Sequence, residues 1–242
     1  VDDIIREDMY ELIEKYGDDR RTEIVGDAED LQIEDLIPEE DVVVTLTHAG
    51  YCKRMPISAY KKQKRGGVGV IGMETKETDF VESLYVASSH DYMMIFSNKG
   101  KVFLIKVYEI PHLGRAAKGR AIVNMVEFEQ GEKLSAVVPV KGFDRHCLFM
   151  ATRTGTVKKT MLAEYANIRK GGIWGIKLEG DAELIGVGIT AGTDEVMLAT
   201  RAGQAIRFKE EDARPMGRHT TGVTGIKLDK GDVTIVEDDA AK

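Results

Sequence analysis

From residue 42 onward, apolar runs and short polar turns alternate in a phrase that returns four times: VVVTLTHAGYCKRMPI, YMMIFSNKGKVFLIKV, CLFMATRTGTVKKTML and EVMLATRAGQAIRFKE. Each has an apolar run, a polar turn ending in glycine, and a second run of alternating character, which is a β-hairpin signature. The turn glycines Gly50, Gly100, Gly155 and Gly203 are separated by 50, 55 and 48 residues. A glycine after small polar residues suits a turn whose last residue is left-handed. A second glycine follows each turn (Gly69, Gly119, Gly175, Gly225), then an apolar run such as AIVNMVEF or IKLEG, and usually one more, such as LSAVVPV or LIGVGIT. About four strands in each unit of roughly fifty residues predicts propeller-like blades, near 42–91, 92–146, 147–194 and 195–242.

The first residues follow a different period. Ile5, Met9, Leu12, Ile13 and Tyr16 share one face at spacings of three and four, which predicts a helix over 3–16. Asp2 and Asp3 suit its N-terminal end and Gly17 its C-cap. An acidic connector, GDAEDLQIEDLIPEED, leads to the repeats. The chain thus divides into a helical segment (1–24), an acidic linker (25–41) and an all-β domain (42–242).

With 43% apolar and 31% charged residues the chain is globular, and no apolar run is long enough to span a membrane. The start VDDIIREDMY is neither a signal peptide nor a natural first residue, and it reads as the interior of a longer chain. Two cysteines, Cys52 and Cys147, point to a reducing cytoplasm. Cys52 precedes two cations able to lower its pKa, yet it reads better as a small strand residue. The net charge of −7 conceals a segregation: residues 1–41 carry 17 acids and 4 bases, and the rest carry 24 acids and 30 bases. A basic body beside an acidic arm is compatible with a polyanionic partner.

The stretch QKRGGVGVIG spells G-x-G-x-x-G, the dinucleotide fingerprint, which requires a buried strand before it and a helix after it. YKKQKR is a basic polar run, and VIGMETKETDFVESLYV is strand-like, so the glycines read as a turn of the repeat. The five histidines are scattered singly, and there is no C-x-x-C, G-x-S-x-G or P-loop. No catalytic or metal site is predicted. Trp174 reads as packing between blades in preference to a stacking platform.

The cations, by contrast, recur in phase. One set lies on the strand after the turn glycine: Lys53 and Arg54, Lys158 and Lys159, and Arg207. The other lies before the second glycine: Lys64 and Arg65, Arg115 and Lys118, Arg169 and Lys170, Arg214 and Arg218. In a radial arrangement both sets would fall on a rim and form a curved track for duplex phosphates, with the neighbouring glycines letting backbone N–H groups approach.

QKRGGVG at 63–69 resembles the gyrase A box, Q-R-R-G-G-R-G. LTHAGYCKRMPISAY, FMATRTGTVKKT and EVMLATRAGQAIRF resemble blades of the C-terminal domain of DNA gyrase A. IEKYGDDRRTEI resembles the end of the helix leaving the breakage-reunion domain. The resemblance implies a β-pinwheel whose blades exchange strands, wrapping duplex DNA without sequence preference so that a type II topoisomerase introduces negative supercoils. It implies Gln63, Lys64, Arg65, Gly66, Gly67 and Gly69 as the contact that closes the wrap. It also implies a bacterial cytoplasmic parent with a gyrase B partner, and a catalytic tyrosine, ATP and Mg²⁺ outside this segment. The isolated segment is expected to be a monomer. Lys64 keeps the charge of the box and Val68 loses one. Val68 leaves the topoisomerase IV A-type subunit as an alternative, beside a protein-binding propeller. Four repeats are visible where the gyrase domain usually has six.

Overall fold

The apolar runs become strands because their residues alternate between two buried faces. In a computed structural model, which describes residues 1–18, 21–22, 33–60, 72–75 and 78–235, YMMIFS is a strand with five of its six positions buried. Its Met93 and Ile95 enter one hydrophobic cluster, while Met94 and Phe96 enter the next. A strand covered on both sides reads as an unbroken apolar run.

The described strands, in chain order, are β1 (Asp41–Thr47), β2 (Tyr51–Pro56), β3 (Val81–Ser88), β4 (Tyr92–Ser97), β5 (Lys101–Lys106), β6 (Arg120–Ala121), β7 (Leu134–Val140) and β8 (Cys147–Thr152). They continue with β9 (Thr156–Met161), β10 (Ile173–Trp174), β11 (Leu184–Thr190), β12 (Glu195–Thr200), β13 (Ala205–Lys209), β14 (Val223–Thr224) and β15 (Thr234–Ile235). They form four sheets with the orders β3-β1-β2-β6, β10-β5-β4-β7, β11-β8-β9-β14 and β13-β12-β15. In the first three, a hairpin from one repeat is completed at one end by a two-residue strand from the following repeat. This is strand exchange, and it makes the domain a β-pinwheel. The fourth sheet has three strands among the described residues.

Hydrophobic clusters sit between successive sheets. Val42, Val44 and Leu46 meet Met93, Ile95 and Phe103; Met94, Phe96 and Val102 meet Leu148, Met150 and Tyr165; Phe149 and Val157 meet Leu198 and Ile226. On β12 only one face is covered: Leu198 is buried, but Met197 is 68% exposed.

The four hairpin turns are built alike. Gly50, Gly100, Gly155 and Gly203 have φ of 80°, 83°, 80° and 85°, the left-handed conformation that the spacing predicts. A hydroxyl closes each one: Thr47, Ser97, Thr152 and Thr200 accept the backbone N–H of the residue after the glycine.

The second glycines are phased differently from the sequence reading. The structural equivalents of Gly119 are Gly172 and Gly222, each one residue before a short exchanged strand. A Cβ at these three positions would stand 2.6 Å from Cys52 O, 3.0 Å from Val102 O and 2.4 Å from Val157 O. Gly175 and Gly225 come three residues later, at the position Ile122 occupies, where the backbone N–H bonds the preceding turn glycine's carbonyl. Both glycine positions serve close approach of one repeat to the previous one. Gly69 lies outside the described residues.

The apolar runs after these glycines also differ from expectation. IVN is a single 3₁₀ turn, and in IKLEG and IKLDKG Ile176 and Ile226 are buried outside any strand. The N-terminal segment forms helix α1 (Asp2–Tyr16), none of whose residues is buried. Gly17 ends it with an extended backbone, φ −69°, and its N–H bonds Ile13 O. By contacts the chain divides into two units, Val1–Ile37 and Pro38–Lys242.

Candidate nucleic-acid interface

β7 and β11 lie against each other, joined by the Ser135 hydroxyl bonding Leu184 O at 2.7 Å. They occupy one end of their sheets, and the exchanged strands β10 and β14 occupy the other. That far end is the perimeter, and the segments 111–119, 166–172 and 213–222 deliver the chain to it.

The two sets of in-phase cations have opposite fates. Lys53 on β2 is 0% exposed. Its Nζ donates to Gly114 O at 3.0 Å, Arg115 O at 2.7 Å and Ala117 O at 3.0 Å, all on the segment before β6. Lys158 on β9 is also 0% exposed and donates to Gly175 O at 2.8 Å and Arg218 O at 2.6 Å. Burial lowers the pKa of both ammonium groups, that of Lys158 to about 8. Lys159 bonds Glu210 O at 2.9 Å and pairs with the buried Glu210 carboxylate at 3.5 Å. Arg54 is half-buried, with Nε on Ile110 O at 2.8 Å and Nη1 3.7 Å from Glu40.

These findings correct the expectation of a phosphate track along the strands. Lys53, Lys158 and Lys159 are interior groups whose donors are taken by backbone carbonyls and a carboxylate. A buried ammonium must be paired or hydrogen-bonded, and carbonyls of the next repeat provide this, joined for Lys158 by Gly175 O of its own repeat. Of the strand set, Arg207 alone is exposed, and it stands 3.6 Å from Glu195.

The loop set reaches solvent. Lys118, Arg169, Lys170 and Arg214 are exposed, in the segments preceding β6, β10 and β14. Arg115 and Arg218 are half-buried. The Arg115 guanidinium bonds Ala59 O at 2.6 Å, and Glu164 accepts the Arg218 backbone N–H at 3.2 Å. The structure therefore brings together exposed cations and carbonyls held by a buried lysine of the preceding repeat in 111–119 and 213–222, whereas in 166–172 Phe103 stands in the lysine's place. Gln63, Lys64, Arg65, Gly66, Gly67 and Gly69 lie outside the described residues. Two perimeter residues escape the sequence reading. Arg120 is exposed on β6, and Trp174 is 46% exposed on β10 in place of the expected packing. The signal for both is their position within two residues of a left-handed glycine.

Cys52 and Cys147 are buried free thiols, and burial pushes Cys52 up to about 12, so the neighbouring cations do not activate it. Among the described residues there is no cluster of His, Cys, Asp and Glu that would hold a metal ion. No described helix is long and apolar enough to cross a membrane.

Comparison with known proteins agrees with this architecture. The profile of the family "DNA gyrase C-terminal domain, beta-propeller" matches residues 41–88, 91–141, 148–191 and 194–236. The chain is 52% identical over 225 residues to the DNA gyrase A protein of Halalkalibacterium halodurans, covering 93% of the chain and 27% of that protein. It is 49% identical over 222 residues to the gyrase A protein of Escherichia coli, covering 91% and 25%. The chain therefore spans about a quarter of these relatives. Two solved folds superpose on it. The C-terminal domain of DNA topoisomerase IV gives a TM-score of 0.71 at 28% identity, covering 83% of the chain and 61% of that structure. A DNA gyrase A C-terminal domain gives 0.63 at 28%, covering 81% and 64%. With four matched segments falling on its four sheets, the chain belongs to the family of DNA gyrase A C-terminal domains.

Proposed function

We propose that the chain binds duplex DNA without reading its sequence and wraps it along the perimeter, serving negative supercoiling by a bacterial, cytoplasmic type II topoisomerase. The observation that carries this reading is the recurrence of exposed cations: Lys118, Arg169 with Lys170, and Arg214 each lie in the segment leading to an exchanged strand in three successive repeats. Phosphates recur along the whole duplex, so cations returned once per repeat along the perimeter bind a backbone and leave the bases unread. The acidic residues 1–41 belong to another part of the task, as a connection to the rest of a gyrase A protein that works with gyrase B. ATP, Mg²⁺ and the strand-cleaving tyrosine act outside this segment. Gln63, Lys64, Arg65, Gly66, Gly67 and Gly69 close the wrap, because the last contact must hold DNA whose bending costs roughly 1–6 kcal/mol.

The test is a plasmid relaxed by a nicking-closing enzyme in the presence of the chain. A linking-number change that grows with the amount of chain is expected, and Lys64→Ala with Arg65→Ala should abolish most of it. In parallel, log K against log salt should slope near −5 if about six phosphates are engaged. A flat slope would remove DNA from the account. The superposition on a topoisomerase IV domain keeps that relative as a second reading. Binding with a steep slope but no linking-number change would favour it.

A further inference from the structure

The chain's single tryptophan stands where a purely structural indole would be covered. Trp174, 46% exposed, lies on β10 at the perimeter end of its sheet. It borders an open cleft of about 500 Å³ whose other walls are Lys99, Lys177, Leu178 and His219. Three repeats contribute. Lys99 comes from the β4–β5 turn, Trp174, Lys177 and Leu178 from the third repeat, and His219 from the segment before β14. Lys101 Nζ lies 5.6 Å from the indole centroid, but Glu129 is 2.5 Å from that amine and cancels its charge. The positive charge presented to a ligand is therefore that of Lys177 and Lys99, the latter giving one of its donors to Gln130 O at 3.0 Å.

An aromatic face, an apolar floor and flanking cations match a polyanion with flat, weakly polar edges between its charges. Duplex DNA has that chemistry, with deoxyribose and base edges between phosphates at close spacing. We propose that duplex DNA seats in this cleft, with the indole against sugar and base edges in the minor groove and Lys99 and Lys177 on the flanking phosphates. This rests on the reading that the perimeter carries DNA, and it adds what a row of cations lacks. Ionic contacts release counterions and weaken with salt, whereas an indole contact keeps its strength. One salt-resistant anchor midway along an electrostatic track fixes the duplex in place while the flanking phosphates bend around it.

The experiment titrates the chain with duplex DNA and follows indole emission, which reports on this site alone. Saturable quenching is expected, and unchanged emission at saturating DNA overturns the proposal without any mutation. Trp174→Ala should weaken binding about tenfold at every salt concentration with the slope unaltered, and Trp174→Phe should recover most of the loss. Lys99→Ala with Lys177→Ala should instead flatten the slope by about 2. If the parent chain's slope is flat, the perimeter reading fails. If it is steep and Trp174→Ala binds like the parent, only the indole contact fails. Stronger quenching by single-stranded DNA than by duplex of the same length also overturns it.

Discussion

Lys53 and Lys158 carry the same charge as Lys118 and Lys170 and recur just as regularly along the chain, yet the first pair is wholly buried and the second lies in water. The difference lies in what their donors reach. On β2 and β9 the ammonium groups end among carbonyls of the segments that carry the exposed cations: those of Gly114, Arg115 and Ala117 for Lys53, and that of Arg218 for Lys158. One lysine holds the loop, and others use it. The second sheet shows the alternative, since Phe103 occupies the position of Lys53 and Lys158 and packs beneath Gly172. Charge in phase is therefore a sign of repetition, and exposure decides whether it serves a ligand or the fold.

The largest expected effect lies on the buried side of this comparison. Lys53→Met keeps most of the side-chain volume but leaves three carbonyls without their donor. A buried acceptor left without a donor costs about 1–3 kcal/mol, and because this segment is only half-buried water can reach some of the three, so the total should be about 2 kcal/mol. Urea unfolding measures it. A loss below about 0.5 kcal/mol, which is the range of ordinary surface changes, would show that the lysine does not tie the loop.

Next in size is the exposed side. Arg169→Ala with Lys170→Ala should leave the urea midpoint in place and lower DNA affinity about tenfold at low salt, or 1.4 kcal/mol. Each lost phosphate contact should also flatten the salt slope by about 0.9. A stability loss with no change in slope would reverse the assignment of roles and break the comparison.

The repeat, its hairpins and the left-handed turn glycines are legible in the sequence because period and turn chemistry are local. The box, too, is recognisable by its letters. What a single repeat cannot show is which repeat completes which sheet. The exchanged strands β6, β10 and β14 are two residues long, too short for alternation to register. Gly175 aligns with Gly119 in the sequence for the same reason: a glycine pair separated by two residues offers two phases, and the preceding repeat's backbone chooses between them. The buried lysines read as surface groups because a strand lysine is ordinarily exposed, and the acceptors that compensate it lie 61 to 64 residues away for Lys53.

A third expected effect separates the two tethers from each other through pH. Burial pushes Lys158 down from 10.5 to about 8, a shift that Arg218 reinforces and Glu164 opposes. Below pH 8 the lysine is protonated in both folded and unfolded chains and contributes no pH dependence. Between about 8 and 10 the folded chain has released the proton and the unfolded chain still holds it, so raising the pH favours folding. The tether survives this titration, because a neutral amine retains two N–H donors and Lys158 bonds two carbonyls. Lys53 bonds three, and deprotonation would strand one of them. Tyr165, whose hydroxyl shares the Gly175 carbonyl and whose ionisation burial pushes upward, acts with the opposite sign only above about pH 10. Urea midpoints of the parent chain should therefore rise, relative to those of Lys158→Met, from pH 8 to pH 10, and the same difference should be flat from pH 6 to pH 7.5. A difference that stays flat from pH 8 to pH 10 would mean that Lys158 keeps its proton in the folded chain and holds the loop as an ammonium group, and the distinction between a two-carbonyl and a three-carbonyl tether would be lost.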